Sequence, residues 1–296
     1  MDAVVFPGQG SQRPGMGGPW KSVPSWSVVE RVSDVLGRNV GALLLDADAA
    51  TLQATRNAQV ASFALGLVIL DAARAAEMTW CAAAGHSLGE YTALVAAGVL
   101  GADDAARLVG ARADAMQAAA DASPGTMAAV LGLDEDAVQA SCDTAAGTAW
   151  IANDNAPGQI VVAGTDDGVA RASAAAKERG GKVMALAVGG AFHTPLMATA
   201  QPGLDAALAS TQFLDGACPV VANVDAAPHQ SAADWPALLS AQLCRPVRWR
   251  AGTERMAALG VTRVVELGPG AVLTGLVKRT APALERMSVA TPEDLS

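Results

Sequence analysis

The stretch GHSLGE, Gly85 to Glu90, stands between one apolar run and an Ala- and Leu-rich stretch that continues to residue 100. Gly-x-Ser-x-Gly in that setting is the pattern of a nucleophile elbow: a strand ends, the chain turns sharply on the serine, and a helix begins. The turn closes only if its flanks are small, and Gly85 and Gly89 are. It also needs a buried strand followed by a buried helix. TWCAAAGHS (79–87) reads as the first and LGEYTALVAAGVL (88–100) as the second. The expected class is therefore α/β with a parallel sheet core. Ser87 would be presented at a helix N-terminus, where the dipole and free N–H groups favour a developing oxyanion. An ordinary serine N-cap carries the same letters, so the pentapeptide by itself leaves both readings open.

The chain has 296 residues, 51% of them hydrophobic and 17% charged, which suits one large domain or one domain with an insertion. AVVFPGQG opens with a short strand and a Pro/Gly turn. Residues 25–36, 58–76 and 102–120 have helical spacing, the last with Leu108, Ala111, Ala115 and Met116 on related faces and an acidic first turn. After Pro124-Gly125 the texture changes. TMAAVLGL, TAWIAN, GQIVVAG and GKVMALAV read as strands, with helices over DEDAVQASCDTAA and TDDGVARASAAAKERG. That order, βαββαβ, is the ferredoxin-like pattern. Residues 125–189 are expected to form a small subdomain inserted into a large domain of residues 1–124 and 190–296. In the large domain PVVANV (219–224) and RVVELG (263–268) supply further strands.

Composition excludes several functions. A net charge of −9 argues against nucleic acid as a partner, because that needs a basic face. The balance is uneven: between Arg245 and Arg286 eight basic residues meet three acidic ones. The longest apolar run, AQVASFALGLVIL (58–70), is too short to span a bilayer and contains Gln59 and Ser62, so a buried helix is expected and no membrane partner. MDAVVFPGQG has no basic region or cleavage site of a signal peptide. Cys81, Cys142, Cys218 and Cys244 show no CxxC and no pairing rhythm, which points to reduced thiols, no bound metal and a cytoplasmic protein.

A nucleophilic serine needs a base, and there are only three histidines. His86 adjoins Ser87, but on such a turn its side chain should point away from the serine Oγ. His229, in the polar stretch APHQSAAD, reads as an exposed loop residue. His193, in GGAFHTPLM, follows a Gly-Gly break and precedes a proline, and is the base by elimination. No acidic residue stands out to orient it. A backbone carbonyl could do so, because it also accepts an Nδ1–H bond.

GQGSQ (8–12), GHSLGE (85–90), NDNAPGQIVVAG (153–164), AFHTPLM (191–197), QLCRPVRW (242–249) and ELGPGAVLTGLVKR (266–279) resemble, in order, the signatures of the malonyl-CoA:acyl-carrier-protein transacylases, the acyltransferases of fatty acid and polyketide synthesis. The resemblance runs from about residue 3 to residue 280; residues 13–50, with Trp20 and Trp26, match it poorly. It implies a hydrolase-like α/β large domain with a ferredoxin-like insertion. It implies Ser87 as the acyl-accepting nucleophile and His193 as its base. Gln9 and Leu88 match the residues whose backbone N–H groups form the oxyanion hole, and Gln242 the glutamine whose main-chain carbonyl supports the histidine. Arg112 matches the arginine that holds the substrate's free carboxylate, and Phe192 the position that goes with malonyl rather than methylmalonyl. The implied partners are malonyl-CoA as substrate and the phosphopantetheine arm of an acyl carrier protein as acceptor. No bound cofactor and a monomer are expected. Because such carriers are acidic, Arg245, Arg248, Lys278 and Arg279 are candidates for the docking face. Other readings of the same elbow are a free-standing polyketide transferase, the transacylase of a malonate decarboxylase, a serine esterase or thioesterase, and a non-catalytic carrier-binding subunit. An esterase needs no carboxylate-binding arginine.

Overall fold

The computed structural model describes residues 1–295. Two sheets organise it. The larger has six strands in the order β10-β9-β1-β2-β7-β8. Its strands are β1 (Asp2–Phe6), β2 (Ala82–Gly85), β7 (Val220–Val221), β8 (Pro228–His229), β9 (Arg263–Leu267) and β10 (Glu285–Val289). All neighbours run parallel except β8, which is antiparallel to β7. The elbow strand β2 is all Ala and Gly and fully buried, pairing Ala3 with Ala82 and Phe6 with Gly85. Its lack of bulk lets helices approach both faces closely.

The second sheet is antiparallel and comes from one stretch of chain: β3 (Thr126–Leu131), β4 (Ala149–Ala156), β5 (Gln159–Gly164) and β6 (Lys182–Ala185), in the order β4-β5-β3-β6. The helices Glu135–Asp143 and Asp166–Glu178 cover it, capped by the side chains of Asp134 and Thr165. β4 is longer than TAWIAN suggests and carries two register shifts, between Ile151 and Asn153 and between Asp154 and Ala156. At the first of these it meets the large unit. Asn153 forms a parallel bridge with Val247, through Asp154 N–H to Val247 O (2.9 Å) and Val247 N–H to Ala152 O (2.9 Å).

Several expected elements are shorter than the sequence suggests. Of PVVANV only Val220–Val221 is strand, because the chain then turns to bring Asn223 under the elbow. Of GKVMALAV only Lys182–Ala185 is strand, and Leu186 and Val188 leave the sheet to line a cleft. The helix after the elbow ends at Ala96. The apolar run 58–70 lies inside a longer helix, Thr55–Ala75, which by length and composition could cross a membrane. It is instead wrapped by the protein, with Phe63, Leu65, Val68 and Ile69 essentially inaccessible. Residues 13–50 form short turns and helices, and the buried Trp20 donates its indole N–H to Ala290 O at 3.0 Å. The four cysteines are free.

Candidate active site

Gly85 and Gly89 flank the elbow because nothing larger fits. A Cβ on Gly85 would lie 1.9 Å from the Gly89 carbonyl carbon, and one on Gly89 2.0 Å from Phe6 O. The turn is thus pressed against the end of β1. Between them Ser87 adopts φ of 52°, a left-handed conformation that costs about 1–3 kcal/mol for a non-glycine residue. Both of its peptide groups are held. Its N–H donates to Asn223 Oδ1 (2.7 Å), and its carbonyl accepts from Gln242 Nε2 (3.0 Å). Asn223 also donates from Nδ2 to Gly85 O at 2.6 Å.

His193 lies 106 residues away in sequence, yet its Nε2 is 2.7 Å from Ser87 Oγ. It too has positive φ, 61°. Its Nδ1 is 2.8 Å from the main-chain carbonyl of Gln242. A carbonyl can only accept, so Nδ1 carries the proton and Nε2 offers its lone pair to the serine. His193 is 4% exposed. Burial, and then the Arg112 charge, push its pKa down to about 3, so it is neutral, with Nε2 unprotonated, across the physiological range.

Arg112 projects from the helix Ala102–Ala122 and is 1% exposed. Arg107 on the same helix is exposed and paired with Asp104. Arg112 donates to Gln59 Oε1 (2.5 Å), to Gln242 Oε1 (2.9 Å) and to Ser87 Oγ (3.0 Å), and its guanidinium lies 5.6 Å from the Tyr91 ring centroid. Burial lowers its pKa against the charges of Tyr91 and Glu90, but a guanidinium stays protonated. Glu90, 1% exposed, accepts from Asn223 N–H (2.7 Å) and from Gln242 Nε2. Burial pushes its carboxyl up to about 7, against those two hydrogen bonds and the Arg112 charge.

A cavity of about 100 Å³ opens onto these groups, lined by Gln9, Ser87, Leu88, Arg112, Phe192 and His193 together with Met116 and Met127. It holds a few heavy atoms, with a cation at one wall and thioethers and a phenyl ring at the others. Gln9, His86, Asn153, Leu186 and Val188 are shared with a cleft of about 520 Å³, which runs between residues 7–14, the small sheet and the helix Val272–Thr280. His86 points away from the Ser87–His193 pair, with Nε2 2.8 Å from Asn155 Oδ1 and its ring against Trp249.

The structure thus brings Ser87, Leu88, His193, Arg112, Gln242, Gln9 and Phe192 together. The four basic candidates are all exposed but not equivalent. Arg279 is committed to Gln159 Oε1 and Pro157 O. Nearby basic residues are also occupied: Arg250 pairs with Asp154 and Glu135, and Arg263 with Asp2. The local positive excess is therefore smaller than its count. Arg245, Arg248 and Lys278 make no ion pair among the described residues, and Arg248 lines a second cleft that reaches His193. His229 is not an exposed loop residue. It lies in β8 with a nitrogen 3.0 Å from each of Asp225 and Asp234. Burial opposes its charging, and the two carboxylates outweigh that and raise its pKa. Glu90, Asn223 and Asn155 went unread in the sequence. Glu90 left a signal as the last letter of the elbow motif and Asn155 as the third letter of NDNAPGQIVVAG, whereas Asn223 left none.

A serine on a strained strand-to-helix turn, a neutral histidine at its Oγ and a buried cation meet in one acyl-sized cavity, and the class of protein that this fold and site match is the acyltransferases. The chain belongs to the acyl transferase domain family, whose profile matches residues 3–292. It is 40% identical over 299 aligned residues to the malonyl CoA-acyl carrier protein transacylase of Bacillus subtilis strain 168, covering 99% of this chain and 94% of that one. The acyl-carrier-protein S-malonyltransferase of Burkholderia pseudomallei 1710b superposes with a TM-score of 0.95 at 41% identity, over 99% and 97% of the two chains. A malonyl-transacylase solved in complex with a type II polyketide synthase acyl-carrier protein also gives a TM-score of 0.95, at 38% identity over 99% and 97%.

Proposed function

We propose that this protein transfers a malonyl group from malonyl-CoA to the phosphopantetheine thiol of an acyl carrier protein, through an ester on Ser87. The observation that carries this is Arg112: a buried guanidinium 3.0 Å from Ser87 Oγ. Hydrogen bonds to Gln59 and Gln242 and the nearby Glu90 offset part of the cost of burying that charge, and an anionic acyl group entering the cavity would offset more; malonyl carries such a carboxylate beyond its thioester. His193 takes the Ser87 proton as Oγ attacks the thioester carbon. The oxyanion is received by the N–H groups of Gln9 and Leu88. The intermediate collapses, His193 returns the proton to the departing CoA thiolate, and the carrier's thiol repeats the sequence on the ester. The Gln242 carbonyl holds the imidazole throughout, and Phe192 crowds an α-methyl group. The 520 Å³ cleft accommodates the pantetheine arm. Arg245 and Arg248, beside the second cleft, and Lys278 are the better placed docking cations for an acidic carrier.

The setting is cytoplasmic fatty acid or polyketide synthesis; the likeness to a transacylase bound to a polyketide carrier supports the second. Residues 125–189 form the ferredoxin-like insertion in a hydrolase-like large domain. The strand order β4-β5-β3-β6, drawn from residues 126–185 alone, supports this.

Mass spectrometry after mixing with malonyl-CoA tests the reading. A malonyl adduct on Ser87 should form, survive in water and disappear on adding holo carrier protein. No adduct, or rapid hydrolysis without a thiol, would overturn it, the latter in favour of an esterase.

A further inference from the structure

The Ser87–His193 pair lacks the carboxylate that commonly orients such a histidine, yet a buried carboxylate lies one helical turn from the serine. Glu90 does not touch His193. Its oxygens take one hydrogen bond each from two separate segments of the large unit: Asn223 N–H at 2.7 Å, just after β7, and Gln242 Nε2 at the end of the helix Trp235–Gln242. Those two residues are the ones that hold the elbow. Asn223 takes the Ser87 N–H and Gln242 donates to the Ser87 carbonyl. The Gln242 main-chain carbonyl then fixes the imidazole at Nδ1.

We propose that Glu90 is a positioning residue of the acyl transfer, pinning Asn223 and Gln242 and through them the strained peptide of Ser87 and the orientation of His193. It rests on Ser87 being the acyl-accepting nucleophile. The chemistry requires an acceptor on both sides, since both partners present N–H groups, and only a carboxylate supplies two. An amide of the same shape would turn its NH₂ toward one of the two donors and lose that bond. Arg112 stabilises the anion by charge, while its own hydrogen bonds go to Gln59, Gln242 and Ser87.

The test compares Glu90→Gln and Glu90→Asp with the wild type. The first keeps the shape and loses one acceptor; the second keeps the charge but, one methylene shorter, reaches only one partner. Each is read by the rate at which a fluorophosphonate labels Ser87, normalised to the folded fraction by circular dichroism. Each is also read by the proton resonance of His193 Nδ1–H in histidine-labelled protein. Displacing a nucleophile and its base by a fraction of an ångström should slow labelling by roughly 10²-fold and move the imidazole proton upfield. Malonyl-CoA affinity in a Ser87→Ala background should stay within about threefold, because positioning acts on the step and not on binding. A role confined to folding would lower the melting temperature alone. Labelling at the wild-type rate with an unmoved imidazole proton in either folded variant would sink the proposal. If the wild type itself is not labelled at Ser87, the functional reading fails instead, and the imidazole proton alone decides the role of Glu90.

Discussion

Replacing Arg112 by alanine should change which acyl group the enzyme accepts far more than whether it accepts one. Arg112 is 1% exposed, so a carboxylate reaching it leaves water and is compensated chiefly by guanidinium N–H bonds. Each such charge-assisted bond is worth about 1.5–3 kcal/mol. A forked pair loses about 3–6 kcal/mol when the side chain is cut back, and water admitted to the space recovers part of that, leaving a net loss of about 3 kcal/mol. About 3 kcal/mol corresponds to a roughly 150-fold fall in kcat/KM for malonyl-CoA. Acetyl-CoA has no carboxylate to lose. Its transfer should change by about threefold or less, because Ser87 and His193 keep their own contact. The assay is competition between labelled malonyl-CoA and acetyl-CoA, scored as the ratio of acyl-Ser87 adducts. Truncation leaves Gln59 Oε1 and Gln242 Oε1 without their donor, so some loss of melting temperature is expected and the ratio, not the total, is the readout. An unchanged malonyl-to-acetyl ratio refutes the assignment of Arg112 and with it the substrate.

Phe192→Ser should improve methylmalonyl-CoA relative to malonyl-CoA by about 1–3 kcal/mol, or 10- to 200-fold, in the same competition assay. Arg245→Glu with Arg248→Glu should raise KM for an acidic carrier protein and leave that for malonyl-CoA unchanged, whereas Arg279→Glu should chiefly lower the melting temperature by releasing Gln159 and Pro157. His193 has a folded pKa depressed to about 3 from an ordinary 6.5. Its contribution to stability is therefore present above about pH 6.5 and lost as pH falls toward 3, where the unfolded chain binds a proton that the native one refuses. Urea melts at pH 7.5 and 5 should show His193→Gln losing less stability than the wild type over that interval; an equal loss would place the linkage elsewhere.

The chemistry of this site was more legible in the sequence than its scaffolding. Motif singles out Ser87 and elimination His193, while Arg112, which no local pattern separates from Arg107 on the same helix, is reached only through the resemblance. Gln242 was reached through resemblance, but the side-chain bonds that make it a hub join residues 130 and more positions apart, and no local pattern encodes them. Asn223 lies in what reads as an uninterrupted strand, and the strand stops early because that side chain is needed elsewhere. The basic segment misled in a similar way. Arg250 and Arg263 find their carboxylates on Asp154, Glu135 and Asp2, far outside the window in which charge was counted. His229 had its two partners in view, four and five residues to either side, and was still misread, because polar surroundings look like solvent until a fold closes them. β10 was missed because its polar residues Glu285 and Arg286 are those of an exposed edge.

The bridge between Asn153 and Val247 has a bearing on how the molecule moves. Because two backbone hydrogen bonds join β4 to the large unit, and Arg250 reaches across to Asp154 and Glu135, the walls of the cleft cannot swing apart like a jaw without breaking that bridge and those ion pairs. Substrate must thread into a slot already shaped by folding. Calorimetry should then record a single melting event for the whole chain, with no earlier peak from residues 125–189, and heat capacity on binding malonyl-CoA should reflect desolvation of the slot rather than closure around the guest.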